Sequence, residues 1–191
     1  MATKSKAPKN SLQQRLVILV AVVFMMLTFQ IINTFSNNIL NGYLGLLPRD
    51  AKGLVGIVFA PWLHGDWAHL FANLPILLCL SALAMWHSIR RYVYVSLLII
   101  LGTGVLVWCF GRNGIHVGAS GWVFGLWAWL LTRAIFEHKI ANILISFIVF
   151  MFYGGLWWGF LPKEGISFES HLAGVIVGIA IAKYYGKKKV I

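Results

Sequence analysis

A chain of 191 residues that is 60% hydrophobic and only 11% charged lies far below the roughly 25% charge of soluble domains. That composition excludes a soluble globular enzyme and leaves a polytopic membrane protein with room for one compact helical domain. The formal charge of +11 needs no nucleic acid to explain it, since basic residues beside anionic lipid are each worth about 1 kcal/mol.

A helix needs about 20 apolar residues, at 1.5 Å rise per residue, to cross the hydrocarbon. Six stretches approach that length: Leu16 to Ile32, Leu70 to Trp86, Val93 to Phe110, Ala119 to Ile135, Ile140 to Phe160 and Leu172 to Tyr185. The expected fold class is therefore all-α, a bundle of six transmembrane helices over residues 16–185 between basic tails at 1–15 and 186–191. The first span follows Lys4, Lys6, Lys9 and Arg15, as a signal peptide would. Bulky Phe29, Ile31 and Ile32 stand where a cleavage site needs small residues, so it reads as an uncleaved anchor. The long connection at 33–69 holds Pro48-Arg49 and an apolar stretch, Leu54 to Trp62, that Gly56 and Pro61 interrupt. Too short to span, this stretch is expected to lie laterally at the interface. Cys79, in the middle of the second span, and Cys109, at the end of the third, are too far apart to bridge and read as small apolar fillers.

Positive charge is retained on the cytoplasmic side. Placing both termini there leaves only Arg49, Lys52, Arg112 and Lys163 outside, while Arg90, Arg91, Arg133, Lys139, Lys183, Lys187, Lys188 and Lys189 join the amino-terminal cluster inside. The second, fourth and sixth spans then all begin at the outer face. The second opens with His64-Gly65-Asp66-Trp67-Ala68-His69 and carries Asn73 one turn below His69 on the same face. The fourth opens at Ser120 within Gly118-Ala119-Ser120-Gly121, and the sixth at His171. Gly121-x-x-x-Gly125 and Gly174-x-x-x-Gly178 lie just below these two residues, and helices in lipid associate through such small-residue surfaces. Ser120 and His171 are thus expected within hydrogen-bond reach.

A serine hydroxyl is a weak nucleophile until a neighbouring base takes its proton. Ser120 is accordingly the expected nucleophile and His171 the base. The Ser120 backbone N–H, His69 and Asn73 are expected to stabilise the oxyanion. Glu169 lies at i−2 from His171 and faces away, so the imidazole would be held by packing, with Phe124 stacked on it. His64, Asp66 and His116 read as outer-loop residues, solvated or tying loops together. His87 and His138 mark the cytoplasmic boundary, and Trp157 and Trp158 an interfacial belt.

These residues resemble the rhomboid family of intramembrane serine proteases. The likeness rests on Gly-x-Ser-Gly at Gly118 to Gly121, His-x-x-Gly-x-x-x-Gly at His171, Gly174 and Gly178, and His-x-x-x-Asn at His69 and Asn73. The resemblance implies a six-helix core, a Ser-His dyad, no cofactor or metal, and cleavage of transmembrane substrates near their outer boundary. It also implies a bacterial inner membrane as the setting. The chain lacks the Trp-Arg that many bacterial members carry in the first outer loop and has Phe124 where many have Tyr. Two other readings are a metalloprotease using His64, Asp66, His69 and His171, which lacks His-Glu-x-x-His spacing, and a non-catalytic relative that only binds membrane proteins.

Overall fold

The computed structural model describes residues 12–86, 88–161 and 165–187. Lys4, Lys6, Lys9, His87, Lys163, Lys188 and Lys189, used above to orient the chain or mark its boundaries, lie outside the described residues. Among the described residues all regular secondary structure is helical, apart from one isolated antiparallel bridge between Leu46 and His116.

Helix α1 (Leu12–Phe35) is followed by two short helices in the long connection, α2 (Ile39–Leu44) and α3 (Gly56–Phe59), with 3-10 turns at Ala51–Val55 and Ala60–Trp62. Then come α4 (Trp67–Ala84), α5 (Ile89–Phe110), α6 (Ser120–Glu137), α7 (Ile140–Tyr153) with a 3-10 extension at Gly154–Phe160, and α8 (Phe168–Lys187). Helices α4, α5 and α8 begin about a turn earlier than their apolar runs, and in each a polar side chain caps the start. Asp66 accepts the His69 N–H at 2.6 Å, Ser88 the Arg91 N–H at 3.2 Å and Ser167 the Ser170 N–H at 3.3 Å. Such caps satisfy backbone donors that have no partner inside the helix.

Contacts at the helix ends show that the long helices alternate in direction. At one end, called the mouth below, the α4 residue Trp67 donates to Thr34 of α1 at 3.0 Å. At the far end Glu137 of α6 accepts from Arg91 of α5, from Arg133 at 2.9 Å and from Asn142 of α7 at 3.0 Å. The Arg91 guanidinium also lies 5.2 Å from the ring of Tyr185 on α8, so four helices meet there.

Helices α1, α4, α5 and the stretch Ile140–Phe160 are long and apolar enough to cross a membrane, whereas α6 and α8 are less apolar. The difference follows from position. Helix α7 turns Ile140, Ile143, Leu144, Phe147 and Met151 outward and buries Ile145 and Val149, one apolar face for lipid and one for protein. Helix α6 is instead enclosed, every residue from Ser120 to Leu130 being buried, and its largest interface is with α8. A helix walled in by protein has no need of a lipid-compatible surface, which frees it to carry serine, glycine and arginine. Cys79 is exposed on the apolar exterior instead of filling the core, because the face of α4 that bears it points outward.

Candidate active site

The residues singled out by sequence meet at the mouth. Ser120 is the first residue of α6, with Ala119 as its cap. The backbone N–H groups of this first turn have no intrahelical acceptor and sit at the positive end of the helix dipole. Three loop contacts hold the segment leading to Ser120. Gly118 N–H donates to Ala60 O at 2.9 Å, His116 pairs with Leu46 through both backbone groups, and Ala119 N–H donates to His64 Nε2 at 3.3 Å.

Gly118 has φ +120°, a conformation that L side chains rarely adopt. A Cβ there would also stand 2.7 Å from Cε1 and 2.8 Å from Nε2 of His69. The His69 ring therefore lies directly against the backbone two residues before Ser120. Asn73, buried one turn below, donates to the His69 carbonyl at 2.9 Å. That bond uses one amide hydrogen and leaves the other.

His171 lies buried in the first turn of α8. Phe124 stacks on it with centroids 4.1 Å apart and planes 6° from parallel, the aromatic contact expected from the sequence. Packing is not its only restraint, since Nδ1 lies 2.6 Å from the carbonyl oxygen of Gly159. A carbonyl only accepts, so Nδ1 carries the hydrogen and Nε2 keeps its lone pair, the tautomer a general base requires. Glu169 pairs with Arg112 at 3.1 Å. Among the described residues no hydrogen bond joins Ser120 to His171. Catalytic hydrogen bonds are often long in a resting enzyme, and this one, if made, would use the free Nε2.

The glycines of α6 and α8 meet, as the sequence spacing suggested, but the contact is not symmetric. A Cβ on Gly174 would strike the carbonyl of Gly121, and one on Gly178 that of Gly125, so α8 rests on the backbone of α6. The open side of Gly125 faces Ile99 of α5, and that of Gly121 faces Thr103 Cγ2 at 2.7 Å and Ser170 O at 3.2 Å. The glycines of α6 thus admit α5 as well as α8, because an enclosed helix needs close approach on more than one side.

Two residues carry more than the sequence suggested. His64, placed in a solvated or loop-tying role, is fully buried, lies edge-on to His69 with centroids 5.1 Å apart, and accepts from the residue preceding Ser120. Desolvation, then the neighbouring His69, lowers its pKa to about 3, which keeps the ring neutral, and the Ala119 N–H makes Nε2 the acceptor. Arg49, at φ 59°, donates to Gly111 O at 2.7 Å, Cys109 O at 3.3 Å and Asn113 Oδ1 at 2.6 Å, anchoring the first connection without a Trp-Arg pair. Its signal was an arginine in an outer connection with few other charges. A cavity of about 280 Å³ opens at this end, walled by Gly65, His69, Arg112, His116 and Ser167 among others, with Ser120 outside its lining.

With this geometry in place, the comparisons assign the class. The model of the Rhomboid domain matches residues 51–188, and the chain belongs to the rhomboid family. An uncharacterized protein of Mycobacterium tuberculosis (strain ATCC 25618 / H37Rv) is 36% identical over 148 residues, covering 72% of this chain and 62% of its own. An uncharacterized protein of Mycobacterium leprae is 34% identical over 152 residues, covering 74% and 59%. RHOMBOID-like protein 5 of Arabidopsis thaliana is 31% identical over 131 residues, covering 63% and 41%. The chain thus spans about three-fifths of the length of the mycobacterial relatives it matches. A Rhomboid domain together with several helices long and apolar enough to cross a membrane makes this an integral membrane protein.

Proposed function

We propose that this protein is an intramembrane serine endopeptidase that cleaves transmembrane segments of other membrane proteins near their extracytoplasmic boundary. The observation that carries the proposal is the stacking of Phe124, one turn below Ser120, on His171, since it brings the first turns of α6 and α8 to one level. Ser120 Oγ attacks the scissile carbonyl and His171 Nε2 takes its proton, then returns it to the leaving amine. The Ser120 N–H, the second amide hydrogen of Asn73 and the His69 ring donate to the oxyanion. The domain extends over 16–185 with six spans, and both termini are cytoplasmic. The mouth faces outward from a bacterial cytoplasmic membrane, a setting in keeping with the mycobacterial relatives.

The test is cleavage of a transmembrane reporter by the purified protein in detergent. Ser120→Ala and His171→Ala are each expected to abolish cleavage without loss of the fold. Cleavage by either variant at a large fraction of the wild-type rate would remove the dyad. A wild-type protein that binds the reporter without cutting it would leave the non-catalytic relative as the better description.

A further inference from the structure

We infer that His116 is a positioning residue that sets the spacing between the nucleophile and the base, an inference that rests on the dyad proposed above. His116 stands four residues before Ser120, and Ser167 four residues before His171. Their side chains meet, with Nδ1 of the imidazole 2.7 Å from Oγ of the serine. One hydrogen bond therefore joins the segment that delivers Ser120 to the cap of the helix that delivers His171.

The polarity of the bond follows from its surroundings. Nε2 of His116 lies 2.9 Å from the carbonyl oxygen of Arg112, which only accepts, so Nε2 carries a hydrogen; with one ring hydrogen so placed, Nδ1 accepts from the Ser167 hydroxyl, whose carboxylate alternative, Glu169 Oε2, is farther away at 3.5 Å. Ser167 Oγ in turn faces the Ser170 N–H at 3.3 Å and Ser170 Oγ at 2.7 Å. One hydroxyl thus donates to the loop and caps α8. His116 is buried, and its backbone is clamped to Leu46 from both sides, N–H to O at 2.8 Å and O to N–H at 3.0 Å. The imidazole therefore has no slack to take up a shift of α8. The charged groups beside it are satisfied by each other, Arg112 binding Glu169 at 3.1 Å and donating to Ile166 O.

Such a tie matters because proton transfer from Ser120 needs His171 within about 2.6–3.2 Å, and a misplacement of about 1 Å costs on the order of 10²-fold. His116→Leu fills the volume but makes neither bond, whereas His116→Gln supplies one donor and one acceptor. The experiment measures kcat and KM for a transmembrane reporter, together with the rate of Ser120 labelling by a fluorophosphonate. Leucine is expected to lower kcat and labelling together by about 10- to 100-fold with KM little changed, and glutamine to restore most of both. Wild-type rates in the leucine variant, equal loss in the two variants, or a change confined to KM would each overturn the inference while leaving the dyad intact. A wild-type protein that neither cleaves nor labels would overturn the dyad and the inference together. Should the leucine variant fail to fold, Ser167→Ala breaks the same bond from the other side. It is expected to lower kcat and labelling in parallel, and unchanged values would overturn the inference.

Discussion

At the scale of single residues, two imidazoles near Ser120 each have their tautomer set by one backbone partner. His171 gives its Nδ1 hydrogen to Gly159, and His64 keeps Nε2 bare for the Ala119 N–H. The folded pKa of His64, about 3, lies below the ordinary 6.5, so its contribution to stability is complete above pH 6.5 and declines as pH falls toward 3. At pH 5 the loss is about 2 kcal/mol. Thermal unfolding in detergent is expected to show this decline in the wild type and a flatter profile in His64→Gln. Asn73→Ala is expected to lower kcat by on the order of 10²- to 10³-fold with a small effect on KM, as loss of an oxyanion donor does. An unchanged kcat would leave Asn73 only its bond to His69. Ser120, His171, His69 and Asn73 were legible in the sequence because polar side chains at the heads of apolar runs are conspicuous. Gly159 was not, since its contribution is a backbone carbonyl, which every residue has. Arg49 and His64 were seen but placed among loop residues, for their partners are fixed only by how the connections fold.

Among the elements, six long helices could be located from apolar length, and their starts were missed by a turn wherever Asp66, Ser88 or Ser167 caps the helix. Glycine spacing predicted close packing of α6 on α8 but not which way each glycine faces. That direction decides what substitution does. Gly174→Ala would drive a methyl into the Gly121 carbonyl, which cannot yield, so it is expected to lower both the unfolding temperature and the cleavage rate. Gly125→Ala meets only the Ile99 side chain, and adding Ile99→Ala is expected to recover much of the lost stability. Unfolding curves for the two single variants and the double variant check both outcomes. Rescue of Gly174→Ala by Ile99→Ala would show that the faces are misassigned.

For the molecule as a whole, the mouth is held by loop contacts, and at the far end one carboxylate ties α5, α6 and α7 together. Glu137 answers Arg91 and Arg133, and its side chain is 7% exposed. Removing one partner of a buried ion pair costs about 3–5 kcal/mol. Glu137→Gln is therefore expected to lower the unfolding temperature markedly while the activity per folded molecule stays near wild type, because the mouth lies at the opposite end. The enclosure of α6 also bears on how the protein is made. This helix presents Arg133, Glu137 and the unpartnered indole nitrogens of Trp122, Trp127 and Trp129, groups that acyl chains solvate poorly. Its main protective neighbour, α8, follows it in the chain and leaves the ribosome later. During synthesis α6 is left to α4 and α5, which precede it, and then to α7, until α8 arrives with His171. Under the proposal above, the nucleophile and its base are united only once α8 docks, so competence to cleave would come after α6 has already been placed.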